Sequence, residues 1–148
     1  MLMPKKTKYR KVQKGRLKGR SKGARTVVFG DYGLEAVEAV RLTARQIESM
    51  RVAISKKLKK VGEMFLRVFP DKPVTKKPAE TRMGKGKGNP EFWVAVVKRG
   101  RVVVEIGGGL SREEAKAILK AAAYKLPMKT RFVAKDDAAK VIAPKSVA

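Results

Sequence analysis

The sequence predicts a two-layer α+β domain, a mostly antiparallel sheet carrying two helices, with a basic N-terminal arm outside it. Two capping boxes, Thr43-Ala44-Arg45-Gln46 and Ser111-Arg112-Glu113-Glu114, each precede an apolar stripe at helical spacing. Around them lie runs of β-branched and aromatic residues. One pair of runs is joined by Arg99-Gly100 and reads as an antiparallel hairpin. Helices and hairpins intermixed in one short chain belong to the α+β class. Residues 1–25, by contrast, are cationic and free of acid.

That first segment holds Lys5, Lys6, Lys8, Arg10, Lys11, Lys14, Arg16, Lys18, Arg20, Lys22 and Arg25. Nothing in it builds a core, and Gly15, Gly19 and Gly23 lower its helix propensity, so an arm is expected. Residues 26–134 form the globular part. Val27, Val28 and Phe29 are expected as a strand turning at Gly30-Asp31-Tyr32-Gly33. Leu34, Val37 and Val40 then recur every three residues, as in a helix. The segment is short and flanked by turn signals, however, which favours strand.

In the first helix Ile47, Met50, Ile54, Leu58 and Val61 share a stripe, Leu42 and Ile47 form the staple, and Gly62 is a natural stop. Arg45, Ser49, Lys56, Lys59 and Lys60 project from the other side. Met64, Leu66 and Val68 alternate with Phe65, Arg67 and Phe69 at the period of a strand, ended by Pro70. Residues 70–90, rich in glycine, proline and cations, are expected as an extended basic loop. The hairpin over residues 92–98 and 101–106 follows. The second helix has Ala115, Ile118, Leu119, Ala122 and Leu126 on its apolar side and Pro127 beyond it. A last strand is expected over residues 128–134 and a mobile tail over residues 135–148.

Lysine and arginine number 37 against 13 acidic residues in 148, a net charge of +24. Self-repulsion at that charge opposes compactness, and a partner with regularly spaced phosphates relieves it while releasing counterions. Nucleic acid is therefore the leading partner, anionic membrane the second. A membrane span needs about 18 apolar residues. The longest apolar run here is residues 92–97, so no membrane partner is expected. The N-terminus lacks the apolar segment of a secretory signal, and the protein is expected to stay where it is made. With no cysteine and no histidine, disulfides, zinc sites and the usual nucleophilic triads are excluded. No cofactor and no small-molecule substrate are expected.

Each candidate motif has a plainer alternative. The arm could be a solvated tail, but acid-free cationic blocks serve commonly as nucleic-acid-binding arms. Tyr9 offers a ring for stacking or is a stray surface tyrosine. Arg82-Met83-Gly84-Lys85-Gly86-Lys87-Gly88 alternates bare backbone with cations, which suits phosphates, the alternative being a floppy glycine loop. It is not a Walker loop, because the spacing fails and Asn89-Pro90 stands where a helix would start. Gly107-Gly108-Gly109 reads as a strand-to-helix turn, since Glu113 and Glu114 in the first helical turn repel anions. Trp93 reads as a packing residue. The face carrying Arg45, Lys56, Lys59 and Lys60 is either an RNA contact or a solvated helix side.

The arm from Pro4-Lys5-Lys6-Thr7-Lys8-Tyr9-Arg10-Lys11 to Lys14-Gly15-Arg16 resembles the opening of the bacterial-type large-subunit ribosomal proteins of the L-sixteen family. Four further motifs resemble that family's patterns in order: Leu42-Thr43-Ala44-Arg45-Gln46-Ile47-Glu48, Phe69-Pro70-Asp71-Lys72-Pro73, the glycine-lysine loop, and Lys125-Leu126-Pro127-Met128-Lys129-Thr130. The resemblance covers residues 1–134. Lys6 and Gln13 depart from it where the family favours arginine and histidine, and Lys6 keeps charge but loses a bidentate fork.

The resemblance implies a hammerhead-like α+β fold shared with archaeal and eukaryotic counterparts. It also implies a place on large-subunit rRNA below the central protuberance, beside the aminoacyl-tRNA site, reached late in assembly. Arm and loop would thread between rRNA helices, with Arg82 to Lys87 near bound tRNA and other ribosomal proteins as neighbours. The expected function is thus a structural, non-catalytic rRNA-binding constituent of the large subunit in a cytoplasmic or organellar ribosome. The alternative is an RNA-modifying enzyme or a free RNA chaperone. An enzyme needs a positioned acid or base, and the scattered carboxylates, adjacent only at Glu113-Glu114 and Asp136-Asp137, supply none.

Overall fold

The computed structural model describes residues 1–58, 61–84 and 86–136. In chain order they form β1 (Tyr32–Ala36), β2 (Val40–Thr43), α1 (Ala44–Leu58), β3 (Glu63–Leu66), β4 (Lys72–Lys76), β5 (Asn89–Val97), β6 (Val102–Gly107), α2 (Arg112–Ala123) and β7 (Thr130–Ala134). Both helices begin where reciprocal caps satisfy the first free amides. The Gln46 N–H donates to Thr43 Oγ1 at 3.3 Å, and the Thr43 N–H donates to Gln46 Oε1 at 3.0 Å. Ser111 and Glu114 make the same exchange ahead of α2.

The strands form two antiparallel sheets, a four-stranded one in the order β3-β6-β1-β7 and a three-stranded one in the order β2-β5-β4. The helices pack on each other, α1 also against β2, β3 and β5, and α2 against β1 and β7. Ile47, Met50, Ile54 and Leu58 of α1 and Ala115, Ile118, Leu119 and Ala122 of α2 are buried there. Leu42, Val97, Val103 and Ile106 complete the core from the sheets. All six residues of β6 are buried, four of them β-branched and one the acidic Glu105.

Several expectations are corrected. Residues 27–29 are not a strand. The amides of Val28, Phe29 and Gly30 donate to Oε2 of Glu105 at 3.1, 2.7 and 2.9 Å. Glu105 is fully buried within β6, and a charge there must be hydrogen-bonded, so these amides serve the carboxylate. Gly30 is required by proximity, because a Cβ would lie 2.5 Å from the Ile106 carbonyl oxygen.

The expected hairpin also divides. Its turn exists, with Gly100 at φ 85°, but β5 pairs with β2 and β4 while β6 pairs with β1 and β3. Backbone bonds from Gly100 to Ala36 and from Ser21 to Arg99 hold the turn where the two sheets part. The basic loop is shorter than residues 70–90, since β4 and the start of β5 lie inside that span. Pro73 is tolerated because β4 is an edge strand. Val61 is 71% exposed and does not extend the α1 stripe. Leu2, in the arm, packs against the core. Apart from Lys135 and Asp136, the expected tail lies outside the described residues, as do Lys59, Lys60 and Lys85.

Candidate nucleic-acid interface

The arm cations Lys5, Lys6, Lys8, Arg10, Lys11, Lys14, Arg16, Lys18, Arg20 and Lys22 are all exposed. Tyr9 is 68% exposed, with the Lys8 ammonium 5.7 Å from its ring centre. The arm crosses the three-stranded sheet by lending its carbonyls to that sheet's cations. Arg41 Nη2 donates to the carbonyl oxygens of Lys14 and Gly15 at 3.1 and 2.9 Å, and Lys72 Nζ donates to that of Lys14 at 2.7 Å. Farther on, Arg20 bridges to Arg99, and the Val102 amide donates to the Ala24 carbonyl at 2.7 Å.

Arm and glycine-lysine loop meet. Lys11 Nζ donates to the Lys87 carbonyl at 2.8 Å, and Lys87 Nζ donates to the Val12 carbonyl at 2.6 Å. Segments 75 or 76 residues apart thereby present one cationic surface. Where the loop rejoins β5, a Cβ on Gly88 would lie 2.5 Å from the Lys76 carbonyl oxygen, so glycine is needed for the close return. Arg82, Met83, Gly84, Gly86 and Lys87 are exposed, and Lys77 donates to the Gly84 carbonyl at 2.9 Å.

The α1 candidates Arg45 and Lys56 take no part in these arm–loop hydrogen bonds among the described residues. Arg45 and Lys56 are exposed on one side of the helix, and Arg45 lies beside the first residues of the arm. Between them Arg51 pairs with Glu48 at 2.6 Å, and that hydrogen bond holds the Glu48 carboxyl below the usual carboxylate range. This pair tempers the positive field of the helix face. Arg41 and Lys72, which fasten the arm, were not among the candidates drawn from sequence, because strand alternation gives no hint of an arm folding across it. Among the described residues no helix is long and apolar enough to cross a membrane.

A family model described as ribosomal protein L16p/L10e matches residues 4–133. A protein of Heliobacterium modesticaldum described as large ribosomal subunit protein uL16 is 53% identical over 137 residues, 93% of this chain and 94% of its own length.

Proposed function

The chain belongs to the ribosomal protein L16p/L10e family, a family of structural ribosomal proteins and not of enzymes, and on that premise we propose that it holds large-subunit rRNA through its arm and glycine-lysine loop and helps shape the aminoacyl-tRNA site. The observation that carries the reading is the pair of bonds from Lys11 to the Lys87 carbonyl and from Lys87 to the Val12 carbonyl, which joins two cationic segments into one surface. Phosphate oxygens are the natural partners of such a surface, and each phosphate neutralised adds counterion entropy. Arg82 and Met83 in the loop are exposed, which supports a reading in which they approach tRNA. Neighbouring ribosomal proteins and rRNA are its partners in the large subunit.

Rebinding to large subunits stripped of this protein tests the reading. Affinity is expected to fall steeply with salt, by about 0.7–0.9 log units per log unit of salt for each phosphate held. Lys11→Glu with Lys87→Glu is expected to weaken rebinding and tRNA accommodation while the circular dichroism spectrum is retained. Wild-type rebinding by that variant, or a chain found free of large subunits at moderate salt, defeats the proposal.

A further inference from the structure

We propose that the gap between the arm and the outer face of the three-stranded sheet receives a single unstacked rRNA nucleotide, its base lying on Phe92 and its phosphate held by Arg41, Lys72 and Lys87. The inference rests on the rRNA-binding reading and adds a defined site to it. Register places Thr43 opposite Val94, Val94 opposite Lys72, and Phe92 opposite Val74, so these side chains share one face with Arg41 by strand alternation. Leu42, Ala95 and Val97 alternate to the other face and are buried in the core. Residues 12–15 cross the outer face as a strap held by the bonds of Arg41, Lys72 and Lys87.

Beneath the strap is a cavity of about 590 Å³ with Val74, Phe92 and Val94 among its walls and no carboxylate among its described lining residues. That volume falls within the range of roughly 300–1,000 Å³ usual for small-ligand pockets. Phe92 is 42% exposed, unlike its buried strand neighbour Val94. Arg41 bonds the strap through Nη2, and its buried Nε has no hydrogen-bond partner among the described residues, so the guanidinium is not fully satisfied by the chain. Lys72 and Lys87 have three donors each, and each gives one bond to a strap carbonyl, Lys72 to that of Lys14 and Lys87 to that of Val12. An aromatic strand residue in a cavity also lined by Lys14, Arg41, Lys72 and Lys87 suits an unpaired base with its phosphate, whereas a base stacked within a duplex cannot pass under a peptide strap.

The test combines binding of the full chain to a large-subunit rRNA domain transcript over a salt series with ultraviolet cross-linking and peptide mapping. The cross-link is expected on the peptide containing Phe92. Phe92→Ala and Phe92→Leu are expected to weaken binding about tenfold with the salt slope unchanged, and Phe92→Tyr to bind like wild type. Lys72→Gln is expected to lower the slope by about 0.7–0.9. If Phe92→Leu binds like wild type and the cross-link maps elsewhere while wild-type binding stays salt-dependent, the pocket is refuted and the rRNA reading stands. A wild-type chain that ignores the transcript overturns both.

Discussion

Glu105 is the residue on which the junction of arm and domain turns. Its carboxylate is fully buried, takes three successive backbone amides on Oε2, and pairs through Oε1 with Arg67, whose guanidinium also lies 5.0 Å from the Phe29 ring centre. Removing one partner of a buried pair leaves the other charge and the amides unsatisfied, a cost of about 3–5 kcal/mol. Glu105→Ala is therefore expected to lower unfolding free energy by about 3 kcal/mol in urea titration, toward the low end because the Arg67 side chain is 16% exposed. Glu105→Gln, which keeps an acceptor, is expected to recover part of the loss. Glu48→Ala is the contrasting case, since its exposed pair with Arg51 is screened by solvent and the midpoint is expected to move little. A Glu105→Ala variant as stable as Glu48→Ala would show that the amides at residues 28–30 do not depend on the carboxylate.

Among the elements, α2 depends most visibly on a local sequence signal. Ser111→Ala is expected to cost about 1 kcal/mol of stability by removing the hydroxyl that caps the Glu114 amide. The Ser111 hydroxyl, and then its backbone amide, hold the Glu114 carboxyl below the usual carboxylate range. A lowered folded-state value means that the stabilisation is present above the unfolded carboxyl range and is lost as pH falls through the folded value. The start of α2 is thus expected to fray in acid, below the ordinary value of 4.5, and Glu114→Gln to flatten that dependence in an amide-exchange series. Both caps were legible in the sequence because each spans four residues and needs no distant partner. The α1 stripe from Ile47 to Leu58 and the last strand were legible for the same reason. Strand partners were not: the turn at Gly100 signals reversal, but the choice between two sheets was made by β2 and β1, far away in the chain. Val28 and Phe29 misled because β-propensity registers side-chain shape, while their amides were claimed by a carboxylate 76 or 77 residues onward. For the interface, composition marked the cations of arm and loop, yet only the fold brings Arg41, Lys72, Lys11 and Lys87 to one place.

For the molecule as a whole, a net charge of +24 gives salt two opposite effects, and their separation tests what the charge is for. In the free chain, exposed cations of arm, loop and α1 repel one another over a Debye length of about 30 Å at 0.01 M salt, shortened to about 10 Å at 0.1 M. Screening relieves that repulsion, so the Tm of the free chain is expected to rise with salt. On the proposed reading, phosphates of bound large-subunit rRNA neutralise the cations, and a fragment present at 100 times its Kd adds about 2.7 kcal/mol of stability. Salt then weakens binding steeply, because the counterions released on association must be recaptured against a higher bulk concentration. The Tm of the complex is expected to fall with salt and to converge on the rising curve of the free chain, as scanning calorimetry of both over one salt series would show. Lys11→Glu with Lys87→Glu lowers the net charge by four, from +24 to +20, and should flatten both curves, the complex more than the free chain because the altered residues lie where arm and loop join. Curves that rise in parallel with and without RNA would mean that the phosphates never reach these cations, leaving the surplus charge as an ordinary solvated surface.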